Sequence, residues 1–401
     1  MTPQPLAGIR VLDFCWMIAG PLTTRLLADL GAEVIKVESM ARVDRIREVG
    51  VQPPVPHAET NGVFNDCNVN KKSILLNLNH ARGIQLAKEL AACSDVVTSN
   101  FTPDRMDRWG LGYQDLKLVQ QDIIVASMPV MGTKGQRSSW RAVGNGVIAM
   151  AGLNAHTGFP GREPFGLGTL HSDFTSPYLG ALQIMAAIHH RNQTGEGQFI
   201  ELAQYEATIH LLDTELLEYV VNGHTPPRRG NTSRQYAPHG VYRCTGEDRW
   251  IAISVRNGQE WSALCNALGL GDLAQRSELR TLEGRLGATG EIDAAICERT
   301  RDADDWLLAE TLQATGVCAS PVENVGDLVH RDPMREGFFK EIQHPAGISM
   351  LLQNEPITWN GERLPMERAP FLGEHSEAVY KDLLGLSEDD LAELAAEGVI
   401  S

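Results

Sequence analysis

Residues 9–38 read IRVLDFCWMIAGPLTTRLLADLGAEVIKVE, and their pattern decides the fold. The run 9–14 (IRVLDF) is a short apolar strand. Ala19-Gly20-Pro21 reads as a breaker, and 22–30 (LTTRLLADL) carries apolar residues at helical spacing. Gly31 stands where a helix C-cap needs a residue tolerant of positive φ. A second strand follows at 32–38 (AEVIKVE). Strand, helix and strand within about 30 residues make a βαβ unit, so the two strands should run parallel with a right-handed crossover.

The alternation continues outward. Strands are expected at 73–78, 95–98 and 122–128, with helices at 81–92 and near 116–120. This gives an α/β fold with a Rossmann-like parallel sheet and helices on both faces. Ligands in such sheets sit beyond the carboxyl ends of the strands, so the loops after Phe14, Glu38, Ser99 and Met128 are the candidates. A Gly/Pro-rich loop after Gly158 leads to a helix at 177–191, with Ser176 as N-cap and Pro177 at its first position. A strand at 198–202 and one long helix at 203–222 follow. Residues 226–230 (PPRRG) break the chain, and beyond them strands at 241–244 and 250–255 with helices near 260–268, 291–300 and 304–315 make a smaller α+β section. The tail after Pro333 returns to loops, then helices at 376–384 and 387–397. The expected division is 1–225 as the first part of the large domain, 226–332 as the small one and 333–401 as the return to the large one.

The chain has 401 residues, 43% hydrophobic and 21% charged, enough to bury a full core without staples. Its net charge of −16 disfavours nucleic acid and anionic membrane as partners. The seven cysteines are scattered, odd in number and without a CxxC pair, which argues against disulfides and zinc and fits a reducing compartment. The start, MTPQPL, has neither the basic nor the apolar region of a signal peptide. The most apolar stretch, 177–188, is shorter than the roughly 20 residues a bilayer requires. A cytoplasmic protein is expected.

The glycine pairs 110/112, 144/146 and 166/168 lack the GxGxxG spacing between strand and helix, so they read as turn glycines and no dinucleotide fingerprint is present. There is no P-loop, no HExxH, no GxSxG and no His/Cys cluster at metal spacing. The carboxylate that draws attention is Asp173 in His171-Ser-Asp-Phe-Thr-Ser-Pro-Tyr178. It lies three residues before the expected N-cap, where the helix terminus favours an ionised carboxylate able to attack a carbonyl. From local sequence alone a capping or turn aspartate is the commoner role for such a residue.

Several segments, in order, resemble the family III CoA-transferases (the CaiB/BaiF, formyl-CoA transferase-like group). They are Leu6–Phe14, Ala19-Gly-Pro21, Leu27–Glu38, Asn70-Lys-Lys-Ser73, Asn100-Phe101, Arg191–Gln198, Arg229-Gly-Asn231 and Leu372-Gly-Glu-His375. The resemblance covers nearly the whole chain. It implies transfer of coenzyme A from an acyl-CoA to a carboxylic acid, with Asp173 as covalent nucleophile forming an aspartyl–acyl anhydride and then an aspartyl-CoA thioester. It implies CoA contacts at Leu76, Asn100, Phe101 and Arg108, with Arg141 as a second basic contact. No metal and no tightly bound cofactor is implied. An interlocked homodimer is, with the large domain built from both ends of the chain.

The sequence also departs from the family pattern. Ser99 stands where an acidic residue is usual, and Pro103-Asp104 replaces Pro-Gly. The stretch after Asn231 lacks the glycine run of formyl-CoA transferases, which speaks against oxalate or formate. The related 2-methylacyl-CoA racemases pair the aspartate with a His in Gly-His-Asp, and 141–146 (RAVGNG) has no His. The competing readings are that racemase and a non-catalytic CoA-binding protein.

Overall fold

The computed structural model describes residues 4–48, 58–333 and 337–401. One parallel sheet contains β1 (Arg10–Asp13), β2 (Glu33–Glu38), β3 (Lys72–Leu75), β4 (Val96–Ser99), β5 (Ile124–Ser127) and β6 (Phe199–Glu201). Their order is β3-β2-β1-β4-β5-β6, with β1 pairing in parallel with both β2 and β4. The chain reverses direction across the sheet at β1 and β4, the switch point where a Rossmann-like sheet opens a crevice.

The helices along this stretch of the chain are α1 (Ala19–Asp29), α2 (Gly62–Cys67), α3 (Ala81–Ala92), α4 (Asp104–Arg108), α5 (Tyr113–Val119), α6 (Gly144–Met150), α7 (Leu153–His156), of which only Leu153 belongs to the sheet-bearing unit, α8 (His171–Thr194), α9 (Gln204–Ile209) and α10 (Asp213–Asn222). Successive strand residues point to opposite faces. Leu12, Ile35, Ile74 and Val97 therefore meet Leu86 and Leu90 of α3 on one side. Val11, Val34, Val96 and Ile124 meet Leu26 and Leu27 of α1 and Ile184 and Ile188 of α8 on the other. Both faces are covered, which is why these strands are nearly continuous apolar runs. The helix Ser376–Leu384 adds Val379 and Tyr380 to the first face.

The described residues divide into two compact units. The first takes in 1–153, 166–224 and 334–401; the second is Asn154–Phe165 with Thr225–Pro333. Residues 154–165, counted in the large domain from sequence, thus pack within the second unit. Arg228 holds them there by donating to the carbonyls of Ala155 and Arg162, at 3.0 and 2.6 Å. That unit has an antiparallel sheet, β7 (His239–Arg243), β8 (Trp250–Ser254) and β9 (Cys318–Pro321), over a core that includes Trp261, Leu264 and Leu312.

Four local expectations change. Ala19-Gly-Pro21 does not break the chain: it is the first turn of α1, where proline's missing N–H has no helical acceptor to lose. The helix read at 177–191 begins at His171, so Pro177 is inside it and Asp173 is in its first turn. The long helix read at 203–222 is interrupted by a 3₁₀ turn at His210–Leu212, which lets Leu212 join Ile148, Ala151 and Leu153. The tail read as loop contains the hairpin β10 (Phe339–His344) and β11 (Ile348–Gln353), whose Met350 and Leu352 pack on Val69 and Met366.

Candidate active site

A cavity of about 350 Å³ lies at the carboxyl ends of β1–β5, within the size range of small-molecule sites. Each strand end feeds it: Phe14, Trp16 and Met17 after β1; Glu38 and Arg42 after β2; Leu76 to Asn79 after β3; Asn100, Phe101 and Arg105 around β4; Pro129 and Val130 after β5. Trp140 and Arg141 close one side. These are the loops that the strand pattern singled out, joined by the one after β3.

The loop between β1 and α1 is held from several directions. The side-chain amide of Asn100 donates to the carbonyl of Trp16 (2.7 Å) and accepts from its N–H (2.9 Å). Asp44 accepts from the N–H of Met17, whose φ of 65° is in the left-handed region that side chains rarely adopt. Such strain persists where the surroundings over-determine it. Gly20 permits the turn: a Cβ there would lie 2.5 Å from Cys15 Cβ and 2.9 Å from Asn100 Cγ.

Beneath the loop lies a buried ionic network. Asp13, at the end of β1, accepts from Thr24 Oγ1 (2.6 Å), Cys15 N (2.9 Å), Thr98 Oγ1 (3.0 Å) and Lys71 Nζ (3.3 Å). Lys36 reaches the carbonyl of Cys15 and Asp44. Burial alone would push the Asp13 carboxyl up, but Lys71, Lys36 and the hydrogen bonds from Thr24 and Cys15 together outweigh it and hold its pKa below the ordinary value. These charges are paired and hydrogen-bonded, the condition under which buried charge is tolerated.

Three arginines line the cavity: Arg42, Arg105 and Arg141. Arg42 lies over Trp16 and Arg105 over Trp109, each 5.4 Å from the ring centroid, the arrangement of a cation–π pair. Phe101 packs edge-on between Trp16 and Trp109, at 5.4 and 5.8 Å.

Of the residues expected from sequence, Leu76, Asn100, Phe101 and Arg141 line the cavity. Asn100 spends its amide on Trp16 rather than facing the space freely. Arg108 is outside the lining; it is exposed and paired with Asp104 one turn back, while Arg105 on the same helix takes the inner position. Trp16 and Met17, which with Tyr236 suggest an apolar pocket from sequence, do line the cavity, and Tyr236 does not; Arg42, Arg105, Trp109 and Trp140 went unread, because nothing in a lone Arg or Trp marks it.

Asp173 stands beside the cavity rather than in its lining. Arg141 and Ala142 line the cavity, and two residues on, Gly144 opens α6 against the Asp173 carboxyl. A Cβ on Gly144 would be 2.6 Å from Asp173 Oδ2, so the glycine read as a turn residue is what lets the carboxyl sit there. Pro177 has no N–H to donate to the Asp173 carbonyl, and Ser176 turns its hydroxyl back to the carbonyl of Ser172 (2.7 Å). Burial pushes the Asp173 pKa up to about 6, while hydrogen bonds from the Gly144 backbone and the Gln204 side chain pull it down. The result is a carboxyl ionised at neutral pH but poorly solvated, a combination found at reactive groups. Among the described residues, no group of three or more His, Cys, Asp or Glu could hold a metal ion, and no helix is long and apolar enough to cross a membrane.

Sheet order, cavity and carboxyl together define an open α/β protein with a cavity at the strand ends. Comparison with known sequences sharpens this: the model for CoA-transferase family III matches residues 6–376. The succinyl-CoA–D-citramalate CoA-transferase of Chloroflexus aurantiacus is 31% identical, over 99% of this chain and 98% of its own. The formyl-CoA:oxalate CoA-transferase of Streptomyces coelicolor is 29% identical, over all of both chains. Among solved structures, a CaiB/BaiF family protein from Brucella suis superposes with a TM-score of 0.85 at 31% identity, covering 95% of this chain and 100% of that one. The chain belongs to CoA-transferase family III, and it is a CoA-transferase.

Proposed function

We propose that the protein moves coenzyme A from an acyl-CoA to a carboxylic acid, with Asp173 as the covalent nucleophile. In the first step one Asp173 oxygen attacks the thioester carbonyl carbon and the CoA thiolate leaves, giving an aspartyl–acyl anhydride. The thiolate then attacks Cγ of Asp173 and expels the acyl group as its carboxylate, leaving an aspartyl-CoA thioester. An acceptor carboxylate repeats the two steps in reverse and departs as the new acyl-CoA. The observation that carries this reading is the half-buried carboxyl of Asp173 lying against Gly144, two residues beyond the cavity-lining Arg141 and Ala142. Low solvation sharpens the nucleophile and spares the anhydride from water.

The cavity is read as the CoA site. Arg42, Arg105 and Arg141 would meet its phosphates through their forked donors, with Leu76 and Phe101 against its apolar parts and Asn100 fixing the loop. Arg108 joins this set by exchanging Asp104 for a phosphate. Bound cations this few suffice for an anionic ligand on a chain of net charge −16. The Chloroflexus relative's name makes succinyl-CoA with a dicarboxylic acid the first pair to assay. The racemase reading loses support at Gly144, because the position beside the Asp173 carboxyl carries no side chain to act as a second acid/base. An interlocked homodimer would cover α10, none of whose residues is buried although Leu217, Tyr219, Val220 and Val221 are apolar or aromatic. The test is substitution of Asp173 by Ala: transfer should vanish while CoA binding stays within about tenfold, because a nucleophile acts on the transition state. Undiminished transfer would remove the mechanism.

A further inference from the structure

We propose that Glu201 is a positioning residue: its carboxylate anchors the hinge of a flap, residues 134–143, that folds down over bound coenzyme A and carries Trp140 and Arg141 onto it. The inference rests on the reading of the cavity as the CoA site.

The chain leaving β5 is fixed as far as Thr133. The N–H of Leu202 donates to the carbonyl of Ser127 (2.9 Å), that of Gln204 to Pro129 (3.3 Å) and that of Tyr205 to Val130 (2.9 Å). Glu201, the last residue of β6, makes the final hold. Thr133 gives it both donors: its N–H reaches Oε1 at 2.6 Å, and its hydroxyl donates to Oε2. Two donors on one carboxylate fix direction as well as distance. Gly132 makes room for the contact. Its φ of 78° is in the left-handed region, and a Cβ there would lie 2.9 Å from Glu201 Oε1.

Beyond Thr133 the character changes. Residues 134–143 (KGQRSSWRAV) are all exposed or half-exposed. The N–H groups of Ser138 and Trp140 donate to carbonyls of the flap itself, those of Gly135 and Arg137. Segments with so little buried contact open and close at low cost. The far end is held again at buried Gly144, where α6 begins and packs on α8. The flap is a strap between two fixed ends.

Its charge suits an anionic ligand. The flap carries Lys134, Arg137 and Arg141 and no carboxylate, on a chain of net charge −16. Its inner edge, Ser138 with Trp140 to Ala142, lines the cavity, while Lys134 and Arg137 stand outside the lining. Arg137 lies 4.9 Å from the Trp140 ring centroid, which couples the two side chains. Closure brings these cations toward the CoA phosphates. Because the strap ends at Gly144, beside the Asp173 carboxyl, closure also keeps water from the reacting end. A flap on a loose hinge loses more freedom when it closes, so removal of the anchor weakens CoA binding.

The experiment reads hydrogen exchange by mass spectrometry, with and without coenzyme A, and the Kd for coenzyme A by calorimetry. It uses the full-length wild type, Glu201→Ala, Glu201→Gln and Thr133→Val. In the wild type, coenzyme A should slow exchange across 134–143 by about tenfold or more. Glu201→Ala should raise the Kd about tenfold and speed the flap's exchange in the free protein. Exchange in β5 and β6 should stay as it was, whereas a merely structural loss would speed it too. Glu201→Gln can still accept from the Thr133 N–H and donate to its hydroxyl, so its Kd should stay within about threefold of the wild type. Thr133→Val removes one of the two bonds with β6 untouched, which keeps the test open if Glu201→Ala folds poorly. It should raise the Kd about threefold, and add nothing when combined with Glu201→Ala. Flap exchange indifferent to coenzyme A overturns the flap, and a Kd unmoved in both Glu201→Ala and Thr133→Val overturns the anchor. Peptides spanning 100–109 separate this proposal from the reading beneath it. If coenzyme A protects them and not the flap, only the flap fails; if it protects neither, the cavity is not the CoA site.

Discussion

Asp173 is costly to the fold as well as useful to the site. Its pKa near 6 stands about two units above that of a solvated carboxyl. A carboxyl whose pKa rises on folding adds stability while protonated, and that contribution is lost as pH rises through about 6. At neutral pH and above, the ionised group therefore costs at most roughly 3 kcal/mol. Asp173→Asn should abolish transfer yet melt at a higher temperature than the wild type at pH 8, with the advantage shrinking below about pH 5. Scanning calorimetry at both pH values checks this; a variant less stable than the wild type at pH 8 would mark Asp173 as a structural group. By the same sign, if Asp173 is the nucleophile proposed above, transfer should fall about tenfold per pH unit below about 6 as it is protonated. The arginines allow a second prediction. Arg105→Ala should raise KM for the acyl-CoA roughly tenfold or more with little change in kcat, as loss of uniform binding does; steady-state kinetics read both. At this scale the sequence was only partly legible. The Asp173 motif could be found because family resemblance marks it. Gly144 could be read only as a turn glycine, and Arg105 had no local signal, because the residues around them come together only in the folded chain.

Among the elements, β1 and the start of α1 carry the most concentrated design. Their register places Asp13 under the cavity loop, and Lys71, just before β3, comes to meet it. Lys71→Met should remove the cation in direct contact with the buried Asp13 charge, leaving only the more distant Lys36, and cost about 3 kcal/mol, seen as a lower denaturant midpoint. Gly144→Ala probes the start of α6. Its methyl would intrude on the Asp173 carboxyl, so activity should fall at least tenfold while the melting temperature moves little, because Gly144 takes no positive φ. The βαβ unit was legible because strand and helix periods differ and Gly31 punctuates them. The helix starts were not: proline at 21 and at 177 looked like a boundary, but α1 includes it in the first turn, and α8 tolerates it beyond the first turn while hydroxyl side chains satisfy nearby carbonyls. The β10–β11 hairpin escaped notice because β10, FKEIQH, contributes few inward apolar side chains.

For the whole molecule, the alternation of strands and helices was enough to give an open parallel sheet, and the sheet in turn places the cavity at its switch point. The resemblance implied a large domain built from both ends of the chain; in the structure Tyr380 of the tail is fully buried and its hydroxyl donates to the carbonyl of Leu75 (2.8 Å). The apolar surface of α10 bears on assembly. Light scattering should give twice the mass of one chain, and Leu217→Glu with Val220→Glu should lower that mass or the soluble yield; a wild-type chain that stays monomeric at micromolar concentration would contradict the dimer. The central claim is the covalent role of Asp173, and trapping tests it most directly. The protein is incubated with an acyl-CoA, quenched with hydroxylamine, digested and read by tandem mass spectrometry. The anhydride or thioester should leave a hydroxamate on Asp173, absent when the acyl-CoA is omitted. Rapid transfer with Asp173 unmodified throughout would contradict it.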